Sequence, residues 1–296
     1  MMLFSLESAL EDQADERKRT DMAVPAAGED LKQQVKEFWN RRSCGEVYAD
    51  GDSEMDYYES HRRARFELEP YIAGFARFEE ARGKDVLEIG VGMGADHVEW
   101  ARYGPKSLSG IDMTPRAVEH TARRLRLYGL HSDVRVADAE ALPFPDRSFD
   151  LVYSFGVLHH SPHTAQAVNE VHRVLRPGGT ARIMIYHKYS LTGYMLWARY
   201  ALLAGKPFRS LDEIYWNHLE SVGTKAYTVA AAREMFSAFS RVGIRIQLAL
   251  GDLLQGAAGQ RHQGPALSLA RKIWPRRLLK ALFKNHGLDM MIEAIK

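Results

Sequence analysis

Between residues 84 and 186 the sequence alternates short apolar runs with stretches of helical periodicity, and this alternation constrains the fold more than any other feature. The apolar runs, each five to eight residues long, cover 85–89, 107–112, 133–140, 149–156 and 180–186. Stretches with helical spacing separate several of them, at 95–103, 115–128 and 164–175. This alternation predicts right-handed βαβ units and a parallel sheet with helices on both faces. Ligands of such sheets bind at the carboxyl ends of the strands.

The sequence before this region has two parts. Residues 1–30 mix charged and small residues without a sustained period, so we expect a mobile tail. Residues 31–83 carry aromatic and charged residues at helical spacing, which predicts an N-terminal helical cap of two or three short helices.

The sequence after the alternating region continues one domain, which we place at 84–296. Residues 187–228 are rich in Tyr and Trp and interrupt the rhythm, so we interpret them as an insertion. A helix at 229–241 and a strand at 244–250 follow, then a linker rich in Gly and Gln at 251–264. We further expect a basic helix over 271–284 and a final strand near the end of the sequence.

Composition excludes several classes of protein. The chain has 296 residues with 40 Lys and Arg against 38 Asp and Glu, so it carries no global positive field for nucleic acid. A single cysteine, Cys44, excludes an intrachain disulfide and a thiolate zinc cluster, and we expect no metal site. Acidic residues within the first twelve positions disfavour a signal peptide, and no apolar run is long enough to cross a bilayer. We therefore expect a reducing, cytoplasmic location.

A glycine-rich loop follows the first apolar run. Gly90, Gly92 and Gly94 leave the end of the strand without side chains, so the backbone can turn tightly and approach a ligand at the start of the next helix. Gly90, Gly92 and Ala95 also satisfy the dinucleotide fingerprint G-x-G-x-x-A. The loop alone therefore does not distinguish between nucleotide cofactors.

Asp112 ends the second apolar run, eighteen residues after Gly94. A carboxylate at this position can accept both hydroxyls of an adenosine ribose, as it does in sites for NAD and in sites for S-adenosylmethionine. A helix cap before Thr114 and Pro115 is the alternative role.

Three further motifs decide between these cofactors. The residues after the third run read DAEALPFPDRSFD (138–150), and they are followed by LHH (158–160) and LRPGG (175–179). Together with LEIG at 87–90, these motifs resemble the class I S-adenosylmethionine-dependent methyltransferases, in particular the small-molecule group that includes the ubiquinone and menaquinone enzymes. The resemblance covers residues 84–186. It implies S-adenosyl-L-methionine as cofactor and a small-molecule acceptor.

The resemblance also implies roles for individual residues. The three loop glycines would face the methionine part of the cofactor, with Glu88 as the acid beside them. The remaining cofactor contacts would be Asp112 for the ribose, Met113 against adenine, Asp138 and the Ala139 amide for the adenine edge, and Phe155 near the cofactor. The stretch 88–96 contains no basic residue, which suits a sulfonium cation.

Two histidines after the fourth run, His159 and His160, are the candidate catalytic residues, because a His side chain can take a proton from an acceptor near neutral pH. We expect the insertion 187–228 to fold over the acceptor as a lid. Its aromatic content favours an apolar or ring-containing acceptor. The candidate substrate-contacting residues are Trp39, Tyr58, Tyr189, Trp197 and Tyr200. Packing of an added helix explains such aromatics equally well.

The sequence thus predicts a Rossmann-like, doubly wound α/β sheet of seven strands, mainly parallel with an antiparallel last strand, with an N-terminal helical cap and an inserted lid. The expected function is methylation of a small, apolar or aromatic acceptor. An NAD-dependent oxidoreductase and a non-catalytic S-adenosylmethionine-binding scaffold are the alternatives. The basic helix 271–284 is amphipathic, so either it packs on its own domain or it makes a peripheral membrane contact with anionic lipid. The oligomeric state cannot be derived from the sequence.

Overall fold

Seven strands form one sheet in this computed structural model, which describes residues 28–255 and 271–296. The strands are β1 (Asp85–Ile89), β2 (Ser107–Asp112), β3 (Asp133–Val136), β4 (Phe149–Phe155), β5 (Leu175–Tyr186), β6 (Arg241–Gln247) and β7 (Asp289–Ile295). Their order across the sheet is β3-β2-β1-β4-β5-β7-β6. Strands β1 to β5 pair in parallel, and β7 is antiparallel to both of its neighbours. The predicted doubly wound sheet with an antiparallel last strand is confirmed.

Ten α-helices accompany the sheet in the described residues. They are α1 (Gly28–Arg41), α2 (Glu54–Leu68), α3 (Tyr71–Ala76), α4 (Ala95–Arg102), α5 (Pro115–Leu127), α6 (Thr164–Val174), α7 (Leu191–Trp197), α8 (Leu211–His218), α9 (Val229–Met235) and α10 (Arg276–Leu282). A Ser or Thr side chain caps five of them by accepting a backbone N–H three residues further on, which satisfies a donor that the helix itself leaves unpaired. These capping residues are Ser53, Thr114, Ser190, Ser210 and Thr228.

Apolar cores cover both faces of the sheet. On one face, Val168 and Val171 of α6 and Phe236 after α9 pack against the central strands. On the other face, Phe78 and Trp100 pack edge to face with ring centroids 4.7 Å apart. Each large side chain of this kind contributes about 1.5–3 kcal/mol when it is fully buried. The two cores hold the strand ends in fixed positions, and these ends carry the site.

Several boundaries differ from the sequence expectations. Helix α1 begins at Gly28, inside the segment expected to be a tail, and residues 1–27 lie outside the described residues. Strand β3 ends at Val136 rather than 140, because the Asp138 side chain accepts the Glu140 N–H at 2.8 Å and turns the chain there. Most of the linker expected at 251–264 also lies outside the described residues.

The C-terminal third shows two further corrections. Helix α9 ends at Met235, and β6 covers 241–247 instead of 244–250. The alternating residues Val242, Ile244 and Ile246 of β6 pack on the core, which fixes this register because a slip would turn them to solvent. The basic helix expected over 271–284 is interrupted: residues 271–273 are helical, the helix breaks at Trp274 and Pro275, and α10 then covers Arg276–Leu282.

The insertion leaves and rejoins the sheet at one point. His187 and Tyr227 form a parallel bridge, in which Lys188 N donates to Tyr227 O (2.9 Å) and Tyr227 N donates to Tyr186 O (2.8 Å). The insertion is therefore anchored at the carboxyl end of β5. This is the edge of the sheet at which the glycine loop lies.

Candidate functional site

A cavity of about 550 Å³ opens at the carboxyl ends of β1, β2, β4 and β5. Helix α1 and the segment 42–48 form one wall, and residues of the insertion and the segment 249–255 form another. Of the sequence-predicted site residues, ten line this cavity: Trp39, Glu88, Gly90, Gly92, Asp112, Met113, Asp138, Ala139, Phe155 and His160. The other six do not: Tyr58, Gly94, His159, Tyr189, Trp197 and Tyr200.

The three loop glycines have different surroundings, although all have positive φ angles. A Cβ atom on Gly90 would lie 2.2 Å from Val157, and one on Gly94 would lie 2.9 Å from Thr121. A Cβ atom on Gly92 would meet nothing within 4 Å. Gly90 and Gly94 are therefore required for close packing, and Gly92 keeps open space for a ligand.

Asp112 ends β2 and is partly exposed to the cavity. Its Oδ1 atom accepts the Thr114 N–H (2.9 Å) and the Thr114 hydroxyl (2.8 Å), and its Oδ2 atom accepts the Gly92 N–H at 3.2 Å. Burial raises the pKa of Asp112, while these hydrogen bonds oppose the shift. Asp112 thus joins the glycine loop to α5 and presents a carboxylate to the cavity.

Asp138 is also engaged within the protein. Lys32 of α1 donates to Asp138 Oδ2 at 2.7 Å and lies 2.9 Å from Glu140, which anchors α1 over the cavity. Ala139, between the two acids, lines the cavity as the resemblance implies. The contact between Lys32 and Asp138 joins residues 106 positions apart, and no local pattern predicts it.

Glu88 has a structural partner as well as a place on the cavity wall. Its carboxyl group lies 2.9 Å from His97 Nδ1, and His97 Nε2 lies 2.8 Å from the Ser132 hydroxyl. Burial lowers the pKa of His97 to about 3 and raises that of Glu88 well above its usual range. Burial therefore favours the neutral forms of both groups.

The two candidate catalytic histidines occupy different positions. His160 lines the cavity, and the edge of Trp39 from α1 contacts its ring with centroids 5.3 Å apart. His159 is fully buried beneath Tyr186, with ring centroids 3.8 Å apart, and it does not line the cavity. Of these two histidines, only His160 lines the cavity.

Tyr58 is buried away from the cavity, with its hydroxyl 3.0 Å from His120 Nδ1. Three insertion aromatics also lie elsewhere: Tyr189 is 47% exposed, Trp197 donates its indole N–H to Arg209 O, and Tyr200 stacks on His218. The opposite side of α7 and of the π-helical turn Ala198–Leu202 that continues it lines the cavity instead. Its residues recur at helical spacing and are Thr192, Met195, Leu196 and Arg199. The insertion therefore borders the cavity through aliphatic and polar side chains rather than aromatic ones.

Sequence reasoning missed an acidic group of side chains at the inner end of the cavity. Tyr71 places its hydroxyl 3.1 Å from Glu69 and 2.8 Å from Asp289. A phenol has one proton, so one of these carboxyl groups must itself donate if both bonds form. Burial raises the pKa of Glu69 and of Asp289, which agrees with a shared proton.

Glu220 was missed for a different reason. The Tyr186 hydroxyl donates to it at 2.8 Å, and it lies 3.4 Å from His160 Nε2. Glu220 belongs to the insertion, in which the aromatic residues gave the stronger sequence signal. Glu220 can be recognised as a site residue only from the fold, which shows that the insertion returns to the end of β5.

A comparison with protein families matches residues 87–183 to the methyltransferase domain family. Residues 87–183 thus carry the sequence pattern of a methyltransferase domain. The matched region is the one that carries the glycine loop, Asp112, Asp138 and the two histidines, so the NAD-dependent alternative loses its support.

Two curated relatives extend this result. The chain is 38% identical over 137 residues to phthiotriol/phenolphthiotriol dimycocerosates methyltransferase 1 of Mycobacterium ulcerans, which is 45% of this chain and 48% of the relative. It is 35% identical over 122 residues to the fatty-acid O-methyltransferase of Mycolicibacterium smegmatis, 41% of this chain and 43% of that protein. The chain thus spans less than half the length of these relatives.

Two solved structures share the fold. The [4+2]-cyclase SpnF has a TM-score of 0.53 at 18% identity, over 93% of this chain and 97% of its own. Phosphoethanolamine N-methyltransferase 2 of Haemonchus contortus, in complex with S-adenosylhomocysteine, has a TM-score of 0.56 at 16% identity, over 88% of this chain and 60% of its own. At these identities the likeness concerns the fold alone.

The cofactor of the methyltransferase domain is S-adenosylmethionine, and the cavity fits it. Gly92 leaves open space at the loop, and Asp112 presents a carboxylate beside it. Residues 88–96 carry no positive charge. Asp96 of this stretch lines the cavity, and its carboxylate accepts hydrogen bonds from Arg65 and Tyr153. A glycine loop without a cation of its own suits a sulfonium group.

Proposed function

We propose that this protein transfers a methyl group from S-adenosylmethionine to a lipid-like acceptor with a long apolar part. One observation carries the proposal: much of the cavity wall away from the glycine loop is apolar. We call the part of the cavity lined by these apolar side chains the arm. They come from α2, the insertion and the segments around β6 and β7, and they are Leu68, Met195, Leu196, Leu219, Leu250, Leu254 and Leu288.

The cavity chemistry supports such an acceptor. An apolar chain in the arm would be removed from water, which stabilises binding by about 0.8 kcal/mol per buried CH₂ group. His160, Tyr186 and Glu220 lie on the same cavity and supply polar contacts for the reacting group. The names of the two curated relatives, which describe dimycocerosate and fatty-acid methylation, agree with a lipid-like acceptor.

Most of the rate acceleration of a methyl transfer comes from holding the acceptor in line with the methyl group. The insertion would contribute by covering the acceptor through Met195 and Leu196. Among the predicted catalytic residues, His160 lines the cavity and would contact the reacting group, whereas His159 would act only through its neighbours.

A direct assay tests this function. Purified protein with methyl-labelled S-adenosylmethionine is offered fatty acids, long-chain alcohols and phenols, long-chain amines and their short-chain counterparts, and products are identified by mass spectrometry. Label transfer to long-chain but not short-chain acceptors is expected. Calorimetry with S-adenosylhomocysteine and NAD provides the cofactor control: binding of NAD alone, or transfer to short-chain acceptors only, would contradict the proposal.

We further propose a peripheral membrane contact through residues 271–284. Among the described residues, Ile273, Leu278 and Leu282 are 73%, 54% and 66% exposed, and six Lys and Arg side chains belong to the same segment. Apolar side chains with basic neighbours suit an anionic lipid surface. Leu279 is buried, so part of the segment packs on its own domain.

Vesicle sedimentation tests this contact. Binding should require anionic lipid and decrease with rising salt, since the attraction of basic residues is screened. A variant with Leu278 and Leu282 replaced by Ser should bind less, and equal binding to neutral vesicles would exclude the contact. In the described residues no helix is long and apolar enough to span a membrane. The cytoplasmic location stays a prediction.

A further inference from the structure

Three side chains with electron-pair donor atoms converge where the insertion meets the end of β4. They are His159, His160 and Glu220, and one ligand-type atom of each lies within 4.8 Å of the others. Two belong to a short 3-10 turn at 158–160, and the third follows α8. The return of the insertion to β5 brings them together.

Three of the four imidazole nitrogens of this group lack hydrogen-bond partners. Both ring nitrogens of His159 are buried without a partner, and this residue has no exposed surface. His160 Nε2 is also buried without a hydrogen bond. Buried imidazole nitrogens are nearly always satisfied, so three unsatisfied atoms in adjacent residues indicate a missing ligand.

The hydrogen bonds around His160 assign its proton. The Thr224 hydroxyl donates its single proton to Ser221 O at 2.7 Å, and Thr224 Oγ1 lies 3.2 Å from His160 Nδ1. Because Thr224 has no second proton, His160 Nδ1 must be the donor in this contact. The Ser221 hydroxyl, 3.0 Å from the same nitrogen, can accept as well.

The other ring nitrogen of His160, Nε2, lies 3.4 Å from Glu220 Oε2, which already accepts the Tyr186 hydroxyl. With the proton on Nδ1, Nε2 is the ring atom that can bind a cation together with the Glu220 carboxylate. The hydroxyls behind His160 hold its ring in the orientation that a metal-bound histidine requires.

We propose that His159, His160 and Glu220 bind one divalent transition-metal ion. Two imidazole nitrogens and one carboxylate suit ions such as Zn²⁺, Co²⁺ or Fe²⁺ better than Mg²⁺ or Ca²⁺, which prefer oxygen ligands only. His160 and Glu220 line the cavity and His159 is buried beside His160, so an ion at this site would be reached from the cavity. The inference is independent of the proposed methyl transfer.

Metal titration of the untagged full chain tests the site. Chelator-treated protein is titrated with Co²⁺, followed by its visible absorption, and with Zn²⁺ by calorimetry. One ion per chain should bind. His160→Gln and Glu220→Gln should each weaken binding by about a hundredfold or more, since loss of an outer-shell partner alone costs ten- to a hundredfold.

Two further variants are titrated in the same way, one at a histidine outside the proposed site and one at a residue that contacts His160. His131→Gln removes an exposed histidine and should bind Co²⁺ like the unmodified protein. Thr224→Val keeps the shape and all three ligands but removes the contact to His160 Nδ1, so it should weaken binding by about ten- to a hundredfold. Circular dichroism establishes that each variant is folded.

The proposal is overturned if the unmodified chain binds neither ion, or if folded His160→Gln and Glu220→Gln bind as it does. S-adenosylhomocysteine binding is measured by calorimetry on the same metal-free samples. Cofactor binding without metal uptake would refute the metal site alone and leave the proposed function standing.

Discussion

The glycine loop offers a test that separates ligand binding from packing at neighbouring positions. Gly92 has a φ of +53° and open space where a Cβ would lie, whereas a Cβ on Gly90 would overlap Val157 at 2.2 Å. Replacing Gly92 by Ala should cost about 1–2 kcal/mol of stability, the usual penalty for a left-handed backbone with a side chain. The added methyl group projects into the cofactor space, so affinity for S-adenosylhomocysteine should decrease at least about tenfold, or 1.4 kcal/mol.

Gly90→Ala should behave differently. The left-handed backbone at Gly90 destabilises this variant as much as it does Gly92→Ala. Overlap with Val157 adds about 1–3 kcal/mol of overpacking, so the total loss of stability should be about 2–5 kcal/mol. Val157→Ala removes the overlapping methyl groups. In the double variant the second penalty should therefore largely disappear, giving a coupling free energy of about 1–3 kcal/mol.

Chemical denaturation measures the stability changes, and calorimetry measures the affinities of the folded variants. Gly92→Ala with unchanged cofactor affinity would refute the assignment of Gly92 to the ligand. Additive effects of Gly90→Ala and Val157→Ala would refute the packing role of Gly90.

Two other predictions follow from the cavity walls. Met195→Trp fills part of the cavity and should abolish methyl transfer to long-chain acceptors, whereas Tyr189→Trp changes an exposed side chain and should leave transfer unchanged. If a labelled-methyl assay shows that Tyr189→Trp abolishes transfer and Met195→Trp does not, the assignment of Met195 to the cavity is wrong. Asp112→Asn puts an amide donor where the carboxylate accepts the Gly92 and Thr114 N–H groups. S-adenosylhomocysteine should therefore bind about ten- to a hundredfold more weakly. Equal affinity of a folded variant in calorimetry would show that Asp112 is not part of the cofactor site.

The sequence by itself determined the sheet and the cofactor end of the cavity. Strands β1 and β2 occur at the predicted residues 85–89 and 107–112. Gly92 lies shortly after the end of β1, and Asp112 is the last residue of β2. Parallel strands bring their carboxyl ends to one edge of the sheet, so these two residues lie close together. Features that depend on a few neighbouring residues and on the strand period can be predicted from sequence for this reason.

Only the tertiary structure decided which residues of the insertion line the cavity. The aromatic residues of the insertion were visible in the sequence, but packing turned Tyr189, Trp197 and Tyr200 away and left Met195 and Leu196 on the cavity. Helical periodicity in a sequence shows that the two faces of a helix differ in polarity, but it does not show which face packs against the rest of the protein.

The polar groups of the site depend on the same kind of long-range packing. Ser221 contacts His160 across 61 positions, and Tyr71 contacts Asp289 across 218. No local signal marks such pairs, because their distance is set by how the helices and the insertion pack on the sheet. The separation of the adjacent His159 and His160 into a buried and a cavity-facing residue has the same origin, since the 3-10 turn that carries them points their side chains in different directions.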